Sequence, residues 1–149
     1  TASYAGKRKV ISHIYYIRDR SNVRVADGIP TLWRSELDTT GGVVRHLHPE
    51  ALIEGIEYMD VEYGVDSVGN DGNPDGFTSA PATAADWGNV MAVKLYLLAR
   101  TLEATPGHRD TKTYRLGKTT LGPFNDGFSR HVYSTYIRLK NPAGRREKG

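Results

Sequence analysis

The sequence predicts a fold of the α+β class that is mainly β, with one or two antiparallel sheets. Apolar and polar residues alternate along several short segments, and this two-residue period is typical of β-strands. Nine of the 149 residues are Tyr and 16 are Gly, a composition that favours strands joined by turns over helices. No segment has the apolar pattern of a long helix, so about six or seven strands with short connections are expected.

The first two predicted strands form a hairpin. Residues Lys9 to Arg18, KVISHIYYIR, alternate between two apolar faces, and residues Thr31 to Leu37, TLWRSEL, resume the alternation. The connection between them contains an Asp-Gly pair and a Pro, which favour turns. We therefore expect Ile14–Ile17 to pair with Leu32–Leu37.

A turn and a long strand follow. After the turn DTTGG, Pro49 is placed to begin a single helical turn. That turn leads into a strand from Ile53 to Val65, in which both sides are apolar enough to be covered. The apolar residues change side near Tyr58 and Met59, which indicates a β-bulge or a local twist.

The second half of the chain supplies the remaining strands. Residues Val90 to Leu98, VMAVKLYLL, have one continuous apolar face and are expected near the middle of a sheet. Before them, Asp86 is expected to cap a turn that starts with Trp87. Residues Thr111 to Leu116 are polar enough for a sheet edge, a turn-rich connection follows from Gly117 to Gly127, and Arg130 to Leu139 form the last strand.

The predicted strands present more apolar surface than the chain can cover. Several of them are apolar on both faces, and such strands require a packed layer on each side. The sequence contains no long amphipathic helix that could supply one of these layers. We therefore expect a companion segment, either an N-terminal element absent from this stretch of chain or a partner subunit.

The basic residues are concentrated at the two ends of the chain. The net charge is +3 and the pI is about 9.2, but residues 7–9 are all basic and residues 145–149 contain three more basic side chains. We expect residues 141–149 to be a flexible basic tail, and nucleic acid is not expected as a partner. The absence of Cys excludes disulfides and Cys-based zinc sites, and the length fits a single domain over residues 1–149.

No pattern of residues predicts catalysis. Signatures of Ser nucleophiles are absent, and GKTT at Gly117–Thr120 lacks the upstream glycine and the strand–helix context of a phosphate-binding loop. Acidic residues near Tyr58 alternate with apolar ones, as the solvent-facing positions of a strand do. These residues are Glu54, Glu57, Asp60 and Glu62. We therefore expect a protein that is not an enzyme.

One loop has the pattern of a cation site. The strand ending at Val65 runs into a loop that contains the spacing D-x-N-x-D-G, which places alternate oxygens around calcium. The closing Glu of an EF-hand would fall at Ala82, so an EF-hand is excluded. A looser calcium site stays open as one interpretation, and a turn rich in Gly, Asn and Asp without an ion is the other. The candidate metal ligands are Asp66, Asp71, Asn73 and Asp75.

Five segments, in this order, resemble the C-terminal part of minor pilins of the PilW type. They cover most of the chain and read HIYYIRD at 13–19, GIPTLWRSEL at 28–37, LIEGIEYMDVEYGVD at 52–66, DWGNVMAVKLYLLAR at 86–100 and RHVYSTYIRLKN at 130–141. The resemblance implies a pilin-like head domain that lacks the long N-terminal pilin helix. In the family, that helix first anchors the subunit in the inner membrane and later packs in the filament core.

The resemblance also implies a function in assembly. Such a subunit primes type IV pilus polymerisation and sits at or near the pilus tip, where its partners are other minor pilins and the major pilin. Its head is periplasmic while the helix is in the inner membrane, and it becomes extracellular in the pilus, with links to adhesion, twitching motility or DNA uptake. Two alternatives stay open: a pseudopilin of a type II secretion system, and a free-standing β-domain that binds calcium or carbohydrate.

Overall fold

The computed structural model describes residues 11–140 and residue 142. Strands contain 48% of the residues and helices 8%, and the sheets are antiparallel, so the mainly β prediction is confirmed. No helix among the described residues is both long enough and apolar enough to cross a membrane. The predicted tail, apart from Pro142, and the first two residues of the predicted first strand lie outside the described residues.

The chain forms two compact units, divided between Glu54 and Gly55. The first unit contains a three-stranded sheet. The second contains a four-stranded sheet and a two-stranded hairpin. That residues 1–149 form a single domain stays a prediction.

The first sheet has the order β1-β2-β3, so β2 is its central strand. The predicted hairpin is confirmed, because Ile14 pairs with Ser35 and Ile17 pairs with Leu32. A single 3₁₀ turn at Thr40–Gly42 lies in the predicted turn between the second and third strands. The strands are β1 at His13–Arg18, β2 at Thr31–Asp38 and β3 at Arg45–Glu54.

Trp33 anchors the first sheet from its central strand. Its side chain is 1% exposed, and its indole Nε1 donates a hydrogen bond to the Arg20 carbonyl oxygen at 2.9 Å. The Arg18 guanidinium lies 5.2 Å from the Trp33 ring centroid. A buried indole usually finds such an acceptor, and here the acceptor belongs to the connection that follows β1.

Pro49 does not begin a helical turn, and that prediction is wrong. Strand β3 runs through Pro49 from Arg45 to Glu54. β3 is an edge strand, and its register against β2 shifts between Arg34 and Glu36, which is opposite Pro49. A residue without an N–H is tolerated at such an irregular edge position. The sequence around Pro49 carries no sign of this pairing, because the pairing is decided by a distant strand.

Gly55 divides the predicted long strand into two strands of different sheets. Its φ is +80°, and a Cβ at this position would lie 2.7 Å from the Arg100 carbonyl oxygen. Both the backbone conformation and the space therefore require glycine. Strand β4 begins at Ile56, and its register is irregular between Ile56 and Tyr58, close to the predicted bulge.

The second sheet has the order β5-β4-β6-β9. The predicted apolar strand is β6, and its expected central position is confirmed, because it pairs with both β4 and β9. The strands are β4 at Ile56–Val65, β5 at Gly76–Thr78, β6 at Val90–Arg100 and β9 at Arg130–Arg138.

A hairpin of two short strands, β7 at Tyr114–Leu116 and β8 at Thr119–Leu121, covers one face of the second sheet. Tyr114 and Leu116 pack with Leu98 in a buried core cluster. This corrects two expectations, the polar edge strand and the turn-rich connection from Gly117. Strands of three residues are fixed by the surface on which they pack, and their own sequence carries little signal.

A short helix, α1 at Ala84–Gly88, precedes β6. Thr83 is its N-cap residue, and the Thr83 Oγ1 accepts a hydrogen bond from the Asp86 backbone N–H at 3.1 Å. The Asp86 carboxylate in turn accepts from the Thr83 N–H at 2.9 Å. Asp86 therefore does cap this turn, but as the third residue of a capping box and not as the N-cap residue that we predicted.

Candidate functional site

One face of the second sheet is apolar across three strands, and we call it the open face. Directly opposed residues of paired strands lie on the same side of a sheet. The register therefore places three rows of side chains on this face: Met59 with Leu97 and Tyr133, Val61 with Leu95 and Thr135, and Tyr63 with Val93 and Ile137.

The open face carries large apolar side chains that water can reach. Tyr133 is 58% exposed and Ile137 is 45% exposed, while Val93 and Leu95 are partly buried. Within the described part of the second unit, no helix or strand is stacked across this face. A contiguous apolar surface of this kind marks a contact site, whereas single exposed apolar residues do not. The open face agrees with the predicted excess of apolar strand surface.

A cavity of about 500 Å³ opens at one end of the open face. Trp87, at the end of α1, is 51% exposed, and its ring centroid lies 4.8 Å from that of Tyr63. Helix α1 thus holds a large aromatic side chain at the rim, where a partner can contact it. The apolar lining of the cavity is Tyr63, Trp87, Val90, Met91, Val93, Leu139 and Pro142.

The opposite face of the second sheet, which we call the covered face, holds acidic residues of β4 beneath the hairpin. The Tyr96 hydroxyl donates to Glu62 Oε2 at 2.9 Å, and the Thr119 hydroxyl donates to Asp60 Oδ2 at 2.6 Å. Glu62 is 7% exposed, and a Cβ at Gly117 would lie 2.8 Å from its Cδ. The interpretation of Glu62 and Asp60 as solvent-facing residues is therefore wrong.

Arg130, at the start of β9, pairs with three carboxylates although its side chain is 1% exposed. It reaches Glu57 at 2.6 and 3.1 Å, Asp126 at 2.7 and 2.8 Å, and Asp110 at 2.9 Å. The guanidinium also lies 3.8 Å from the ring centroid of Phe124. A planar group with five donors suits this arrangement, which a lysine could not reproduce.

Two carboxylates beside Arg130, those of Asp110 and Asp126, are held in their charged forms. The hydrogen bond from Arg130 lowers the pKa of Asp126 to about 2. Burial raises the pKa of Asp110, but hydrogen bonds from Arg130 and Tyr114 outweigh it, so the net pKa is lowered. Burial and the Asp110 carboxylate raise the pKa of Tyr114. This cluster fastens the connection between β6 and β9 to the sheet, and we assign it a structural role.

The predicted metal ligands lie in the loop between β4 and β5, and two of their carboxylates organise that loop. Asp75 Oδ2 accepts hydrogen bonds from the backbone N–H groups of Ser67 and Val68 at 2.7 and 2.6 Å. Asp66 is 2% exposed, and its Oδ2 accepts from the Gly72 N–H at 2.9 Å. Both contacts are of the kind that holds polar turns together in proteins without an ion.

The other two predicted ligands, Asp71 and Asn73, are exposed. Asp71 Oδ1 accepts a hydrogen bond from the Asn73 N–H at 2.9 Å, which is an Asx turn. Among the described residues, no group of three or more His, Asp or Glu side chains is arranged to hold a metal ion. The calcium site stays a prediction from residue spacing.

Comparison with protein families identifies the family of the chain. The family model of type IV pilus-assembly protein W matches residues 14–141, from β1 to beyond the end of β9. The chain belongs to the type IV pilus-assembly protein W (PilW) family. The resemblance to PilW-type proteins is thus confirmed, and the family supports a role in type IV pilus assembly. No curated protein and no solved structure matches the chain.

The sequence pattern predicts the strands that form the open face of this PilW-family chain, but it does not predict the Arg130 cluster. Alternation along β6 and β9 is a local signal, and it placed the apolar residues correctly. The partners of Arg130 come from three separate segments, and Asp126 is the nearest of them, four residues earlier. That spacing alone is a weak signal in a loop, so the cluster becomes visible only when the chain is folded.

Proposed function

We propose that this PilW-family chain is a non-enzymatic minor pilin head that helps prime type IV pilus assembly and sits at or near the pilus tip. Family membership supports the role in assembly. The open face supports the physical means of assembly, because subunit interfaces bury contiguous apolar surface that includes aromatic residues. The proposed partners are other minor pilins and the major pilin.

The open face has the dimensions of a groove for one apolar helix. Three strands spaced by about 4.8 Å give a strip as wide as a helix, whose diameter is about 10 Å. Covering apolar surface stabilises a complex by about 25 cal/mol for each Å² removed from water. We propose that the occupant is the long N-terminal helix that the PilW resemblance implies. That helix would also hold the head at the periplasmic side of the inner membrane before the subunit enters the extracellular pilus.

Exposed aromatic side chains at the rim of the open face are proposed contacts to neighbouring subunits. Trp87 and Tyr133 are both more than half exposed. Tyr and Trp dominate the energy of many interfaces because they bury a large rigid surface at a small entropic cost. No chemical step is proposed.

The test is a lysine substitution at the centre of the open face. Leu95→Lys, introduced into the native gene, places a charge where the proposed helix packs. The matched control is Thr120→Lys, because Thr120 is exposed on β8 of the hairpin. Surface pili are counted by electron microscopy and by the pilin recovered after shearing. The melting temperature of each purified chain shows whether the chain folds.

We expect Leu95→Lys to reduce surface pili about tenfold while Thr120→Lys leaves their number unchanged. A tenfold loss corresponds to about 1.4 kcal/mol of assembly free energy. Because Leu95 is partly exposed in the head alone, the purified Leu95→Lys chain is expected to fold. Normal piliation in the Leu95→Lys strain, with the variant present at its usual level, would contradict the proposal.

A further inference from the structure

The hairpin leaves one end of the covered face open. Beyond its turn at Gly117 and Lys118 lie a cavity of about 490 Å³ and a second one of about 200 Å³, and Tyr96 lines both. We call the two together the basin. Its lining is polar and aromatic, unlike that of the open face. The residues that the argument uses are Glu62, Phe77, Lys94, Arg115, Lys118 and Tyr136.

Two aromatic rings form one side of the basin. The ring centroids of Phe77 and Tyr136 are 6.3 Å apart, and the rings meet edge to face at 66°. Tyr136 is 52% exposed. Phe77 belongs to β5 and lies against Gly64, where a Cβ would come within 2.9 Å of its ring, so its position is fixed by close packing. The two rings form an aromatic platform, and the Tyr136 ring is the part of it that is open to a ligand.

Three cations surround the platform. Lys94, Arg115 and Lys118 make no ion pair with a carboxylate of the described residues. Lys94 is directly opposite Glu62 in the strand register, yet its ammonium lies 3.7 Å from the Phe77 ring centroid. The Arg115 Nε donates a hydrogen bond to the Gly117 carbonyl oxygen at 3.0 Å, which leaves its charge without a carboxylate. Cations that lack a carboxylate partner beside a cavity favour an anionic ligand.

Glu62 gives the basin an acceptor as well. One of its oxygens receives the Tyr96 hydroxyl, and the side chain is 7% exposed at the cavity wall. A carboxylate in this position accepts hydrogen bonds from ligand hydroxyls. A ligand that suits the basin thus needs a negative group, hydroxyl donors and an apolar face that can stack on an aromatic ring.

We propose that the basin binds an acidic oligosaccharide, a chain of sugar rings that carry carboxylates. The carboxylate would pair with Arg115 and Lys118, a sugar ring would stack on Tyr136, and a ring hydroxyl would donate to Glu62. Single-stranded nucleic acid suits the basin less well, because its binding sites stack successive bases on several exposed aromatic rings, whereas Tyr136 is the aromatic side chain of the basin that is more than half exposed. The basin and the open face lie on opposite sides of the sheet, so this proposal does not depend on the assembly role.

The experiment measures binding to the purified chain by calorimetry at low salt. The probes are trigalacturonate, a hyaluronan tetrasaccharide and 3′-sialyllactose, which present carboxylates on different sugars. Fully methyl-esterified trigalacturonate is the matched neutral probe. A hexaglutamate peptide and oligo-dT test the other anionic classes. The variants are Arg115→Ala with Lys118→Ala, Tyr136→Ala, and Arg109→Ala as an exposed basic control.

We expect at least one acidic sugar to bind, with affinity reduced about tenfold or more by either basin variant and changed less than about twofold by Arg109→Ala. The esterified probe should bind at least about tenfold more weakly. Melting temperatures within a few degrees of the parent chain show that the variants fold. Three results would overturn the proposal: no binding to any of the acidic sugars, equal binding of the esterified probe, or equal or tighter binding of hexaglutamate or oligo-dT.

Discussion

Arg130 on β9 donates hydrogen bonds to both carboxylate oxygens of Glu57 on β4, at 2.6 and 3.1 Å. Strand β6 lies between these two strands, and Arg130 pairs with Arg100 at the end of β6, so the ion pair spans the sheet near that end. The same guanidinium holds Asp110 and Asp126 of the connection that carries the hairpin. One buried side chain therefore joins the sheet to the layer that covers it.

Replacing Arg130 with Met should destabilise the second unit severely. Asp110 would remain buried without its cation, and breaking a buried pair in this way costs about 3–5 kcal/mol of unfolding free energy. Urea unfolding of the purified chains measures the loss. Arg109→Met removes an exposed arginine from the same connection and should change the free energy by less than about 0.5 kcal/mol. A loss below about 1 kcal/mol for Arg130→Met would show that the cluster is not needed for stability.

The contact between Asp126 and Arg130 predicts how the stability of the folded chain falls at acidic pH. The pKa of Asp126 is lowered to about 2 in the folded chain, against about 3.9 for an unfolded Asp. A lowered folded pKa contributes stability above the unfolded value and loses it as the pH falls through the folded value. The melting temperature should therefore decline between about pH 4 and pH 2. Asp126→Asn should have a lower melting temperature at pH 7 and a shallower decline. Parallel curves for the two chains would contradict this assignment.

The two tryptophans should respond to truncation in opposite ways. Trp33 is 1% exposed and hydrogen-bonded, whereas Trp87 is 51% exposed. Trp33→Ala should cost about 3–5 kcal/mol of unfolding free energy, because it leaves a large cavity and an unused carbonyl acceptor. Trp87→Ala should cost less than about 1 kcal/mol in the purified chain. Urea unfolding followed by circular dichroism measures both, and equal losses would be inconsistent with the burial described above.

Substitutions in the loop between β4 and β5 distinguish a structural role of its carboxylates from calcium binding. Asp75→Ala removes the acceptor of two backbone N–H groups, so the melting temperature in EDTA should fall by a few degrees, for a loss of about 1 kcal/mol. If the predicted ligands hold calcium, titration should give heat and a higher melting temperature, and Asp71→Ala should remove that increase. No heat and no shift at about 1 mM calcium would reject the calcium hypothesis.

Local patterns predicted the elements whose burial follows from their own sequence. The hairpin of β1 and β2, the central strand β6 and the long strand β9 all alternate clearly, and each formed where expected. The elements that were missed depend on distant partners. Pro49 is accommodated by an irregular register with β2, and β7 and β8 exist because they pack on Leu98.

The candidate sites also differ in how far the sequence predicts them. The open face follows from the alternation of apolar and polar residues, because each strand already has one apolar side and pairing places these sides next to one another. The Arg130 cluster and the basin do not, because their charged groups come from segments far apart in sequence. Alternation along β4 predicts that its polar residues face solvent, whereas Glu62 lies buried under the hairpin.

Site-specific photo-crosslinking in piliated cells tests the assembly role of the open face most directly. A photoreactive phenylalanine analogue at position 95 of the native protein reports what lies on the open face, and the same analogue at position 120 is the control. Mass spectrometry identifies the crosslinked peptides. We predict crosslinks from position 95 to a pilin helix, from this subunit or from another pilus subunit, and few from position 120. Recovery of assembled pili in which position 95 crosslinks no pilin segment above the level of position 120 would contradict the account.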